Sequence, residues 1–365
     1  WMSTSASPRA KFQEPARAIF SQRDLLEFRA SETHKDLLRF IKLLGLAVKQ
    51  KRLTEECTES ELTKKLVSML DTMDSWIYEY PPLQQPMRFG NKAFRSWHQR
   101  VLDEAQSLTK ALLPSELEGA VQELAPYLGD CFGNQTRIDY GTGHETTFVF
   151  WLCCFFKLGL LPPEHLQAVV TRVFQRYLEL VRRLQRTYWL EPAGTHGVWS
   201  LDDYQMLPFY FGASQLIGHD AVRPSSIHDP ALVDTYRPDF MYLQCIHFIR
   251  SMKTGGTFAE YAPILNDIST VPTWSKIASG MLKMYQDEVL GKLPVVQHFR
   301  FGSIMPCTWT PSRTDVQAYG TVAPPTAAEM AAGRAAASGV VGHGVPAGVT
   351  GVAPWAAARR GGGVP

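Results

Sequence analysis

Over residues 164–190 the apolar side chains Leu166, Val169, Val173, Tyr177, Val181, Leu184 and Tyr188 recur at steps of three and four. That spacing places them on one stripe of an α-helix, whereas a strand would scatter them over both faces of a sheet. A stripe this regular has to be buried against other elements. The remaining surface carries Arg172, Arg176, Arg182, Arg183 and Arg186. Two readings of that basic face stand: a solvated helix surface, or a surface that binds an anion.

Similar stripes recur along the chain. Residues 34–50 carry Leu37, Ile41, Leu44 and Val48 in phase. Residues 58–61 read as a capping box, Thr58 to Glu61, opening a helix that runs to Tyr80 and stops at Pro81 and Pro82. A third helix is expected from about Lys92, turning Ala93, Trp97, Val101 and Ala105 inward, and further ones over 238–253 and 274–289. Alternating strands are scarce, with 295–299 as a short candidate. The fold class expected is all-α. Residues 1–20 read as a flexible leader, 21–317 as the helical domain, and 318–365 as a disordered tail rich in Gly, Ala and Pro.

Composition narrows the function classes. Apolar residues make up 45% and aromatics 11%, enough for a sizeable core, and the formal net charge is only +2. A nucleic-acid binder usually shows a basic excess, so no nucleic-acid partner is expected. Six cysteines, at 57, 131, 153, 154, 245 and 307, form no CxxC pair and suit free thiols in a reducing compartment, cytoplasm or nucleus. The apolar run 148–161 contains Lys157 and is too short to span a bilayer, so no membrane partner is expected either.

Three segments carry candidate chemistry. Residues 129–145 hold Arg137 and then Gly141-Thr142-Gly143-His144-Glu145 at the entrance to an apolar helix. A Gly-rich turn feeding a helix N-terminus suits phosphate, and Arg137 could clamp it; a plain helix-capping loop explains the same residues. His144-Glu145 opens like a zinc-protease motif, but Phe148 stands where the second His belongs. GxSxG and strand-to-helix GxGxxG motifs are absent too. Residues 191–209 hold the adjacent carboxylates Asp202 and Asp203, which suit either Mg²⁺ beside a nucleotide or a helix cap. Residues 89–98 gather Phe94 and Trp97 beside Arg95 and His98, a surface pocket or simply core.

Together FGNKAFRSWH (89–98), YLGDCFGNQTRIDYGTGHE (127–145) and EPAGTHGVWSLDDYQMLPF (191–209) resemble the phosphotyrosyl phosphatase activator, or serine/threonine-protein phosphatase 2A activator, family. FMYLQCIHFIRSMKTG (240–255), VPTWSKI (271–277) and PVVQHFRFGS (294–303) extend the likeness to about residues 20–310, and the tail resembles extensions of fungal members. The resemblance implies an all-helical fold of core, lid and linker around a deep pocket. It implies ATP and Mg²⁺ as cofactors and the phosphatase 2A catalytic subunit, with or without its scaffold subunit, as partner. It also implies peptidyl-prolyl cis-trans isomerase activity, although the sequence shows no catalytic dyad. The alternative is a non-catalytic, ATP-dependent assembly factor that helps load the phosphatase with metal. Carried over by motif, Arg137, Thr142 and Gly143 would meet ATP, with Val295, Val296 and Gln297 lining it through their backbone. Gly197 and Asp203 would stand near the metal. Phe258 and Glu260, beyond a Gly-Gly turn, are expected to touch the partner.

Overall fold

The computed structural model describes residues 11–85, 90–194, 201–253 and 255–313. Helices dominate: α1 (Gln22–Ala30), α2 (Glu32–Ala47), α3 (Glu61–Glu79), α4 (Ala93–Leu112), α5 (Val121–Asp130), α6 (Thr142–Lys157), α7 (Leu166–Ala168), α8 (Gln175–Tyr188), α9 (Leu207–Gln215), α10 (Pro230–Tyr236), α11 (Met241–Met252), α12 (Phe258–Tyr261), α13 (Pro263–Ile268), α14 (Trp274–Glu288) and α15 (Leu293–Val296). The all-α expectation is met. Two-residue strands form two small pairs: β1 (Ala16–Arg17) antiparallel with β4 (Arg300–Phe301), and β2 (Asp139–Tyr140) parallel with β3 (Glu191–Pro192). No helix among the described residues is long and apolar enough to cross a membrane.

The centre is built on two helices that are apolar all round. Every residue of α6 from Glu145 to Phe156 is buried, and so is every residue of α9. Helices of that kind need neighbours on every side. α5, α2 and α15 pack on α6, while α14, α11 and α2 pack on α9. α8 lies across α3 and α4 and joins the centre through aromatic rings: Tyr177 stacks on Phe148 at 3.8 Å, and Phe174 meets Phe211 edge-on at 5.1 Å. The stripe over 164–190 is continuous but not uniformly α-helical. Between α7 and α8 the residues Val169–Phe174 form a π-helical stretch, which lets Val169, Val170, Val173 and Phe174 all turn inward.

Three expectations are corrected. The cap of α3 is Ser60, which accepts the amide of Thr63, and Glu61 pairs with Lys64 at 2.9 Å, so the box placed over 58–61 starts two residues too early. The strand expected over 295–299 is a helical turn, α15, followed by β4. Short apolar runs do not distinguish the two states by periodicity. The leader expected over 1–20 is ordered fold from Lys11 onward. Ala18 and Ile19 are buried, β1 pairs with β4, and Trp309 donates its indole N–H to the Ala18 carbonyl at 3.1 Å. The fully buried Asp24 accepts the amides of Phe20 and Ser312, each at 3.0 Å. Its hydrogen bonds overcome burial and hold its carboxyl below the usual range. The first ten residues and the tail from 314 lie outside the described residues.

Candidate functional site

The loop ahead of β2 is shaped by side chains reaching back to backbone. Asn134 Oδ1 accepts the amides of Thr136 and Arg137, each at 3.0 Å, and the Asn134 amide donates to the Asp139 carbonyl. Gly133 must be glycine: its φ is +114°, and a Cβ there would lie 2.5 Å from the Asp139 carbonyl oxygen. Arg95 on α4 ties the loop down through the carbonyls of Gln135 and Thr136 at 3.1 and 3.2 Å. The 89–98 cluster thus divides: Phe94 and Trp97 are core, while Arg95 braces the phosphate-loop candidate.

Arg137 stands on this loop, about half exposed, and grips the carboxylate of Asp139 through Nε and Nη2. Asp139 itself is nearly buried. Beside it His144 holds the Asp130 carbonyl at 2.8 Å, and burial lowers its pKa. His298 shares the neighbourhood and is lowered to about 4 by burial, then by the charges of Arg17 and Arg137. Burial comes first in keeping both imidazoles neutral, and the charges around them include the ion pairs Arg137–Asp139 and Arg300–Asp130.

β2 then passes beside β3, the Ala193 amide donating to the Tyr140 carbonyl at 2.8 Å. A Cβ on Gly141 would lie 2.9 Å from that of Ala193, so the close approach requires glycine. Thr142 and Gly143 form the first turn of α6, and no side chain caps it. A Cβ on Gly143 would sit in ordinary contact with Val295, 3.5 Å from Cγ1. The structure therefore brings the first turn of α6 against the 295–297 segment at Gly143 and Val295, while Arg137 stands on the loop ahead of β2.

Most of the backbone of that segment is committed to its own hydrogen bonds. The amides of Val295, Val296 and Gln297 donate to the carbonyls of Lys292, Lys292 and Leu293, and the Val296 carbonyl accepts from Phe299. Carbonyls at Val295 and Gln297 remain as acceptors, suited to an amino group such as that of a purine. These two oxygens are the backbone groups available to the lining expected from the motif.

On the far side, Asp202 Oδ1 accepts the amides of Tyr204 and Gln205, each at 2.9 Å, closing a tight turn. Burial, then Asp203, raises its pKa. Asp203 pairs with Lys253 at 3.2 Å. Neither caps α9, which corrects the helix-cap reading of this pair. The cap is supplied by Glu145 of α6, whose Oε2 accepts the amides of Met206 and Leu207. Gly197 lies outside the described residues. Among the described residues no cluster of three or more His, Cys, Asp or Glu is arranged for a metal ion. Asp203 thus offers one carboxylate, which fits Mg²⁺ that brings its own water and phosphate oxygens.

Phe258 and Glu260 have local roles. Glu260 closes a capping box on Thr257 that starts α12. Phe258 is half-buried, edge-on to His228 at 5.5 Å, with Arg250 over its ring. Sequence reasoning missed Glu145, although a carboxylate entering an otherwise apolar run was a visible signal. It also missed Asp139 as the partner of Arg137.

Comparison with known proteins gives the family and the fold. The phosphotyrosyl phosphate activator (PTPA) protein family matches residues 15–307. A probable serine/threonine-protein phosphatase 2A activator 1 of Dictyostelium discoideum is 45% identical over 296 residues, 81% of this chain and 91% of its own. The serine/threonine-protein phosphatase 2A activator of Drosophila melanogaster is 42% identical over 320 residues, covering 87% and 80% of the two chains. The crystal structure of a PP2A phosphatase activator, Ypa1, superposes with a TM-score of 0.76 at 37% identity, covering 84% of this chain and 99% of that one.

Proposed function

Because the chain belongs to the phosphotyrosyl phosphatase activator family, we propose that it activates the catalytic subunit of phosphatase 2A. It does so while holding ATP and Mg²⁺ between the α6 turn and the 295–297 segment. The observation that carries the nucleotide reading is the meeting of an uncapped helix N-terminus at Thr142 and Gly143, a half-exposed guanidinium at Arg137, and the segment holding the Val295 and Gln297 carbonyls. Helix amides and a guanidinium are the donors that phosphate oxygens need. Asp203 would hold Mg²⁺, which when bound neutralises phosphate charge.

The activity proposed on the partner is peptidyl-prolyl isomerisation. Rotation about an X-Pro bond faces a barrier close to that of an ordinary peptide bond, about 18–20 kcal/mol. It needs no acid, base or nucleophile, only a surface that binds the twisted amide better than either planar form. The buried aromatic side chains of α9, Phe209 and Phe211, could back such a dry surface. The second reading is an assembly factor that acts on the phosphatase by binding alone. Calorimetric titration with Mg-ATP, with and without the phosphatase catalytic subunit, tests the nucleotide site; no saturable heat in either condition sinks it. Turnover of a proline peptide that is lost with Asp203→Asn favours isomerisation, whereas phosphatase activation without peptide turnover favours assembly.

A further inference from the structure

The arginine face of α8 and of the π-helical stretch ahead of it divides into two sets. Arg172 donates to the carbonyls of Leu53 and Glu55 and lies 3.7 Å from Glu59. Arg176 binds Asp71 and Asp74, and Arg183 binds Asp74 while covering the Tyr78 ring. These three brace α8 to its neighbours. Arg182 and Arg186 differ: among the described residues neither has a carboxylate within ion-pairing distance. Arg182 Nη2 donates to Cys245 Sγ at 3.0 Å and Arg186 Nη2 to Ser251 Oγ at 2.8 Å.

Both guanidiniums lie on the buried ring of Phe248, at 4.8 and 4.7 Å from its centroid. Stacking fixes the plane of a guanidinium and leaves N–H donors for an acceptor. Arg182 Nε is buried and has no hydrogen-bond partner. The two like charges are held one helical turn apart and face an open cavity of about 660 Å³, which Arg183 and Arg237 also line. Glu179 is the one carboxylate in that lining and lies 3.9 Å from Arg176. Arg237 is matched by Asp234 at 3.2 Å, which also meets His247. On the inner side the charge of Arg182 reaches Glu145, whose carboxyl burial pushes up to about 8, and Asp202 acts alongside it on Cys245.

We propose that Arg182 and Arg186, on the Phe248 ring, form a second anion site that takes a phosphate group. Two unneutralised forks match a doubly charged tetrahedral oxyanion better than a single carboxylate, and arginine binds phosphate oxygens in pairs. The cavity is larger than a phosphate ion alone, so it accommodates the molecule that carries the group. That carrier is either a small phosphorylated compound or a phosphorylated side chain of a protein.

The test is calorimetry on the full chain with inorganic pyrophosphate, a phosphoserine peptide and the same peptide without phosphate. Each titration is repeated on Arg137→Ala, on Arg186→Gln and on Arg182→Gln/Arg186→Gln. The site predicts a binding event that survives Arg137→Ala and weakens at least about tenfold in the double variant, the size of effect set by losing charged hydrogen bonds. Arg186 is exposed, so its single variant keeps the fold and should weaken binding several-fold if the double variant melts. Tighter binding of pyrophosphate identifies a small-molecule ligand. Tighter binding of the phosphopeptide, absent for its unphosphorylated form, identifies a protein-borne one. No saturable binding to either probe, binding unchanged in the α8 variants, or binding lost only in Arg137→Ala would each overturn the proposal.

Discussion

Glu145 on α6 accepts the amide of Leu207 on α9 at 3.0 Å, joining the turn proposed to hold phosphate to the segment that contains Asp203. The same oxygen takes the Met206 amide, so one carboxyl caps a helix 61 residues away. Burial pushes this carboxyl up to about 8 against the opposing effect of the two amides, and Oε1 has no partner. At neutral pH it behaves as a neutral acid, much as glutamine would.

A pH signature follows. In the unfolded chain Glu145 loses its proton near the ordinary 4.5, while the fold holds the proton until about 8. The native state therefore binds more protons across that window, and its contribution to stability falls as pH rises through it. Glu145→Gln is expected to melt close to wild type near pH 6 and to flatten the decline between pH 6 and 8.5. Melting curves across that range check this; an equally steep decline in the variant would refute the assignment.

His34, His98 and His298 act at the other end of the scale. Burial lowers each to about 4 from the ordinary 6.5, and neither ring nitrogen of His98 makes a well-formed hydrogen bond among the described residues. Their contribution to stability is fully present above 6.5 and is lost as pH falls through 4, because the unfolded chain takes up protons first. His98→Gln should shift the acid-unfolding midpoint to lower pH, read by circular dichroism. An unchanged midpoint would mean the ring is hydrated.

Arg137→Ala has two effects that can be separated. It removes the proposed phosphate clamp, with an expected loss of about 1.5–3 kcal/mol in ATP binding. It also strands the nearly buried Asp139 carboxylate, so melting temperature should fall. Adding Asp139→Asn should restore stability without restoring ATP affinity. If affinity returns with stability, Arg137 only supports the loop.

Asp203→Asn keeps the size of the side chain and removes the charge shared with Lys253. ATP affinity should drop more in Mg²⁺ than in chelator, measured by calorimetry. Equal drops would leave Asp203 as the partner of Lys253 alone.

Two truncations separate tail from fold. A chain ending at Arg313 keeps Ser312, whose amide and hydroxyl bind the buried Asp24. It should melt within about 2 °C of the full chain, since changes away from core features cost only about ±0.5 kcal/mol. A chain ending at Pro311 strands Asp24 and should lose about 1–3 kcal/mol. Equal melting of the two short chains would show that water replaces Ser312.

The sequence by itself determined what is local. The stripes of 34–50, 164–190 and 274–289 become helices because three- and four-residue spacing suffices to define a buried face. The Gly141-Thr142-Gly143 turn was legible because its glycines and the apolar run after it are adjacent in the chain. Tertiary structure decided the rest. It assigned Arg137 to Asp139, gave α9 a cap from α6, joined β1 to β4, and left Arg182 and Arg186 without a carboxylate partner among the described residues while their neighbours found carboxylates on α3. Except for Arg137 and Asp139, these pairings join residues far apart in the chain. Their geometry exists only once packing of α6 and α9 has fixed which surfaces meet, and no periodicity within one segment records that choice.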